Sequence, residues 1–224
     1  MIFLKNGPTS RQKFQNRQEA GEVLVQKLKR TKLGSSSSLI VCAIPRGGVI
    51  VGAILAKSLG AKLTALPIKK IPAPTNPELA IGAVGTWGAP LFDRPLIAAL
   101  QISQKFLAEQ VKVAKAEVAR REIEYGIGRR PSFSQKTVIL TDDGVATGAT
   151  INLAAKLIKS LKPKKLILAV PVAPVSKIPE FEKKFDKVLV LLTPSDFTAV
   201  GQFYYDFPQV TDEEVKQLLA YANR

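Results

Sequence analysis

Val138-Ile-Leu-Thr-Asp-Asp-Gly-Val-Ala-Thr-Gly-Ala-Thr150 is an apolar run that ends in two acids, then passes through a small, hydroxyl-rich loop into a helical pattern. Val138, Ile139 and Leu140 form a continuous aliphatic run, as in parallel-sheet strands buried on both faces. Asp142 and Asp143 then fall at the carboxyl end of that strand, the edge where open α/β sheets bind ligands. Two adjacent carboxylates accept hydrogen bonds from a pair of vicinal ribose hydroxyls. Gly144 and Gly148 let backbone approach a ligand closely, Thr147 and Thr150 offer hydroxyls, and a following helix aims free N–H groups at a phosphate. The stretch reads as a holder for a sugar phosphate. The plainer reading of the same residues is a strand-to-helix turn with an acidic N-cap.

Outward from this stretch, the pattern alternates between strand and helix. On the C-terminal side the periodicities predict a helix over 150–161, a strand over 166–172, a short helix over 178–185 and a strand over 188–192. On the N-terminal side they predict an opening helix over 17–32, a strand over 39–44, a helix over 49–59 and a strand over 62–68 ending in Lys69 and Lys70. Such alternation indicates an α/β fold with a doubly wound parallel sheet and right-handed crossovers. Pro72, Pro74 and Pro77 are expected to interrupt regular structure, with a short strand resuming over 80–84, so residues 73–90 read as a flexible flap. The longest helical pattern covers 103–126, with Leu107, Val111, Ala114, Val118 and Ile123 on one stripe. Thr211 followed by Glu214 has the capping-box spacing and predicts a final helix.

At 224 residues and 46% hydrophobic content, the chain is long enough for one sizeable core, and a single domain over 1–224 is expected. No run reaches the roughly 18 to 20 apolar residues that span a bilayer, and the start lacks a signal-peptide layout, so a soluble cytoplasmic protein is expected. The lone Cys42 sits in an apolar run and reads as a small core residue. A net charge of +15 favours anionic partners, which include a polyphosphorylated sugar, nucleic acid and acidic lipid. The cations recur at helical spacing over 105–130 and 156–165, as solvated helix faces do. The chain has no histidine, which removes Ser-His-Asp hydrolysis, histidine acid/base catalysis and histidine-containing zinc sites. Neither a Walker A loop nor a Gly-x-Gly-x-x-Gly fingerprint occurs.

Pro45-Arg46-Gly47-Gly48 links the first core strand to its helix. Its glycines and backbone N–H groups could form an anion nest, with Arg46 adding fixed charge. A glycine-rich turn with an exposed arginine is the alternative.

The stretch 138–150 resembles the phosphoribosyl pyrophosphate (PRPP) loop of the type I phosphoribosyltransferases, in which an aliphatic strand is followed by two acids, small residues, Thr-Gly and Thr or Ser. Ile68-Lys-Lys-Ile-Pro-Ala-Pro-Thr-Asn-Pro-Glu-Leu-Ala-Ile-Gly-Ala-Val-Gly85 and Val200-Gly-Gln-Phe-Tyr-Tyr-Asp-Phe-Pro-Gln-Val-Thr-Asp-Glu-Glu-Val215 are similar to stretches in a branch of that family with unassigned nucleobase specificity. The resemblance covers nearly the whole chain. It implies a flap over 73–90, a small hood or closing segment over 196–224, and transfer of a 5-phosphoribosyl group between PRPP and a nucleobase or related nitrogen acceptor. It places the 5′-phosphate and ribose on Asp142, Asp143, Gly144, Val145, Ala146, Thr147, Gly148, Ala149 and Thr150. Pyrophosphate is placed on Arg46, Gly47, Gly48, Lys69 and Lys70, with Asp142, Asp143 and Lys70 at the reacting centre. Mg2+ is expected to arrive with PRPP, and a homodimer matches family habit. Asn76 and Glu78 either contact substrate from the flap or only shape it. Phe203, Tyr204, Tyr205 and Phe207 either stack on a planar base or belong to the core. Ala146 stands where hypoxanthine-guanine enzymes commonly carry an aspartate, which argues against that specificity. The alternative function is a PRPP-sensing regulator that binds nucleic acid through its basic surface.

Overall fold

The run 137–141 becomes the central strand of a five-stranded parallel sheet in the computed structural model, which describes residues 13–31, 33, 36–74, 76–87, 89–127 and 132–222. In chain order the elements are α1 (Arg17–Lys29), β1 (Leu39–Ala43), α2 (Gly48–Leu59), β2 (Lys62–Ala65), β3 (Ile68–Ala73), β4 (Asn76–Gly85), β5 (Leu91–Phe92), α3 (Arg94–Ala99), α4 (Gln104–Glu124), β6 (Thr137–Thr141), α5 (Ala149–Ser160), β7 (Lys165–Val172), α6 (Ile178–Lys184), β8 (Lys187–Leu192) and α7 (Asp212–Ala222). The central sheet has the order β2-β1-β6-β7-β8, every pair parallel.

Because side chains alternate across a pleated strand, each apolar run feeds two cores. Ile139 joins Val41, Ile167 and Leu189 on the face covered by α1, α2 and α7. Val138 and Leu140 join Cys42, Leu168 and Val190 on the face covered by α5 and α6. Fully burying each such aliphatic side chain contributes roughly 1.5–3 kcal/mol, which is why these strands need no polar alternation. The helices begin where their caps direct. The Asn16 side chain accepts from the Glu19 N–H, Ser103 accepts from the Phe106 N–H, and Thr211 and Glu214 form the reciprocal capping box.

The segment after β2 departs from the expectation. Pro67 ends β2, since it has no N–H to donate to a ladder. Lys69 and Lys70 therefore lie on β3, exposed, in a separate antiparallel sheet β3-β4-β5, and do not end the second strand of the central sheet. Two of the three prolines expected to break structure are tolerated there, while Pro74 stands in the turn between β3 and β4 as expected. Pro72 and Pro77 lie within β3 and β4, and register shifts flank Pro72. Residues 73–90 hold most of this sheet, because Ile81 and Val84 have a core of their own with Ile71, Leu107, Ala114 and Val118 of α4. Ile123, placed on the α4 stripe from sequence, is instead 83% exposed. It lies five residues past Val118, about 140° around the helix, and Tyr125 takes the buried position instead, donating to Asp212 at 2.5 Å. No helix among the described residues is long and apolar enough to cross a membrane.

Cys42 is fully buried, and burial pushes its thiol up to about 12. The native protein should therefore leave its single thiol unreacted toward a colorimetric disulfide reagent at about pH 8, with one equivalent appearing only on unfolding. Rapid labelling under native conditions would contradict this packing.

Candidate functional site

The strand order reverses between β1 and β6: β1 is followed by β2 on one side, and the later strands extend on the other. Crevices at such switch points are where open α/β sheets hold ligands. Here the two strands end in register. Ala43 pairs with Thr141, and the Ile44 N–H donates to the Thr141 carbonyl at 3.0 Å, so the loops 44–47 and 142–148 leave the sheet side by side. Each leads into a 12-residue helix whose N-cap is a glycine, Gly47 for α2 and Gly148 for α5, so neither cap residue carries a side chain that accepts from the first turn. Two helix N-termini thus face one crevice, and each is suited to an anion.

The loops also touch. A Cβ on Gly47 would lie 1.9 Å from Asp143 Oδ2, and one on Gly48 would lie 2.8 Å from Asp142 Cα. Only glycine permits this approach. Gly148 has φ +78°, the left-handed region where glycine is free of the usual steric cost, and Thr147 Oγ1 accepts from the Ala149 N–H at 3.3 Å.

Asp142 and Asp143 are half-buried at the end of β6. The Asp143 N–H donates to Asp142 Oδ1 at 2.9 Å. Burial first, and then the negative charge of Asp143, hold the Asp142 carboxyl well above the usual carboxylate range. Burial also raises Asp143, but Arg17 works against it. Arg17 Nε donates to Asp143 Oδ2 at 2.7 Å, with side-chain exposures of 7% and 14% for the two partners. Its Nη1 donates to the Pro208 carbonyl at 2.8 Å, and its guanidinium lies 3.7 Å from the Phe207 ring centroid. Tyr204 completes the enclosure by donating its phenol to the Asp143 carbonyl at 2.5 Å. Burial and the Asp143 charge raise that phenol's pKa.

The crevice brings together Arg46, Gly47, Gly48 and the loop 142–150. In that loop Val145 is buried, with its N–H on the Val172 carbonyl, while Ala146 and Thr147 are exposed. Lys69, Lys70 and Asn76 stand on the second sheet, Asn76 at its β3-β4 turn. The Glu78 side chain lies outside the described residues. Phe203 and Tyr204 are core residues, Tyr205 is 69% exposed, and Phe207 stacks on Tyr204 with centroids 4.9 Å apart. Sequence reasoning missed Arg17. The signal was present, since it opens the buried stripe Arg17, Ala20, Gly21, Leu24, Leu28 of α1. A cation there, at the positive end of a helix, requires a buried acid nearby.

Residues 13–208 match the phosphoribosyl transferase domain. The chain belongs to this family. A Mycobacterium tuberculosis relative, provisionally named a phosphoribosyl transferase, is 34% identical over 94% of the chain, which spans about half (47%) of that relative's length. The crystal structure of TT1426 from Thermus thermophilus is 32% identical, with a TM-score of 0.82 over 95% of this chain and 100% of that one. The AQ2163 protein of Aquifex aeolicus shares the fold at 15% identity, with a TM-score of 0.50 over 83% of this chain and 76% of that one. The phosphoribosyl transferase domain therefore takes in the opening helix that carries Arg17 as well as the acid pair.

A raised folded-state pKa means that the native protein keeps a proton the unfolded chain has already released. Stability thus falls as pH rises from the ordinary aspartate value, near 3.9, through the raised value of Asp142. Asp142→Asn removes that cost and keeps an oxygen for the Asp143 N–H. It should raise the melting temperature at about pH 7.5 and have much less effect at about pH 4; an equal change at both would contradict the electrostatic account.

Proposed function

We propose that this chain moves a 5-phosphoribosyl group between PRPP and a nucleobase or related nitrogen acceptor, with pyrophosphate as co-product. The observation that carries this reading is the acid pair itself, with the glycine-capped N-terminus of α2 packed against it and that of α5 opening from the loop that follows it. PRPP has the matching outline of a 5′-phosphate at one end, a pyrophosphate at the other and a diol between. In this reading the loop 144–150 and the α5 N-terminus receive the 5′-phosphate, Asp142 and Asp143 accept from the two ribose hydroxyls, and Arg46, Gly47 and Gly48 receive the pyrophosphate. Lys70 would reach it from the second sheet.

The substrate enters as its magnesium complex. Magnesium keeps several waters and binds phosphates with few protein carboxylates. In the transfer, the anomeric C–O bond breaks with its electrons leaving on pyrophosphate, and the acceptor nitrogen's lone pair forms the new C–N bond. The acceptor then loses its N–H proton to the released pyrophosphate or to water. Positive charge develops on the sugar between these steps, so the protein's contribution is to fix both ends of the ribose and set carboxylates below it, with no covalent nucleophile. The absence of histidine is compatible with that chemistry.

The test is pyrophosphate release from PRPP with magnesium, screened against adenine, guanine, hypoxanthine, xanthine, uracil and orotate beside a no-base control. Base-dependent release is expected, and Asp142→Asn with Asp143→Asn should lower it by roughly 100-fold or more. Turnover that survives the double substitution would sink the assignment.

A further inference from the structure

The Arg17–Asp143 pair is the most buried ion pair among the described residues, and the other contacts of its arginine are made with Phe207 and Pro208. The segment that bears Arg17 is joined to the segment that bears its other partners. The Phe14 N–H donates to the Phe203 carbonyl at 2.9 Å, and the Tyr205 and Asp206 N–H groups donate to the Phe14 and Gln15 carbonyls, each at 2.9 Å. Phe14 and Tyr204 also form a parallel bridge, with their rings 5.6 Å apart. From this joined edge Arg17 reaches one oxygen of Asp143 through Nε, one carbonyl of the closing segment through Nη1, and one aromatic face through its plane. Gly47 closes the remaining side, where a Cβ would also lie 2.8 Å from Arg17 Nε.

We propose that Arg17 is a positioning residue for the substrate acids: it fixes Asp143 in one orientation and ties that orientation to the closing segment, so that an incoming ribose diol meets a preset pair of carboxylates. The inference rests on the PRPP reading of the site. One Asp143 oxygen is held by the guanidinium and Asp142 Oδ1 by the Asp143 N–H, which leaves the second oxygen of each carboxylate for the ligand. Arg17 also offsets one of two adjacent like charges, and thereby lowers the cost of presenting both acids ionised. Lysine cannot reproduce the arrangement. Its single ammonium can meet Asp143, but it lacks the planar fork that serves a carboxylate, a carbonyl and a ring face at once.

The experiment is calorimetric titration of the full chain with PRPP and magnesium, well below the melting temperature of every variant. Wild type is compared with Arg17→Met, Arg17→Lys and Leu28→Ala. Leu28 is a fully buried residue of the same helix that takes no part in the acid site, so its truncation controls for loss of α1 packing. The expected order is wild type and Leu28→Ala binding alike, Arg17→Lys weaker, and Arg17→Met weaker by roughly tenfold or more. Equal affinity of Arg17→Met and wild type would overturn the proposal, as would a loss in Leu28→Ala as large as that in Arg17→Met. If Arg17→Met does not fold, Arg17→Lys decides, and affinity equal to wild type overturns the forked role. Failure of wild type itself to bind PRPP would overturn the PRPP reading and this inference with it, a result visible without any variant.

Discussion

Two carboxylates side by side at the mouth of a buried strand are the constraint around which this molecule is arranged. Asp142 and Asp143 are neither fully hydrated nor far enough apart to ignore each other, and the surrounding structure is a set of answers to that problem. Arg17 supplies a buried counter-charge at 2.7 Å. The β1 loop comes close enough to Asp143 that residue 47 can carry no side chain. Tyr204 grips the Asp143 backbone and so holds the side chain's starting point. Leaving such a pair without partners would cost several kcal/mol, so the enclosure and the acids stand or fall together.

The parts of this design that depend on neighbours in sequence were legible in the sequence. The central strands announced themselves as unbroken aliphatic runs, because both faces of a parallel sheet are buried and no polar alternation is needed. The acid pair, Gly47 and Gly48 were legible because each follows such a strand directly. Arg17 was legible only as a cation on an apolar stripe, and its role was not, since its partner lies 126 residues away. The second sheet was read as irregular because Pro72, Pro74 and Pro77 carry strong local signals. A short sheet needs fewer ladder bonds, and the apolar face of α4 outweighed those local preferences. Tyr204 and Phe207 were legible as aromatics without a settled role; their setting depends on pairing between distant segments.

The division of labour between the two sheets follows from this. The parallel sheet is stiff, buried on both faces, and presents its loops at one edge in fixed register. The antiparallel sheet rests on α4 and a smaller core, and carries the lysines at a distance from the acids in sequence and in topology. A frame that fixes the acid-bearing loops beside a separately packed element is the arrangement in which one part can adjust without disturbing the other.

The union of the segments at 13–17 and 203–208 also sets the order in which the protein becomes competent during synthesis. Arg17 emerges from the ribosome before Asp143, and Pro208 follows Arg17 by 191 residues. The sheet from β1 to β8 can pair before then, since its contacts are complete by residue 192. The enclosure of the acids cannot. A nascent chain therefore leaves the acid pair unenclosed until the segment at 203–208 folds back onto 13–17, and the long-range closure that completes the site is the slowest class of contact to form.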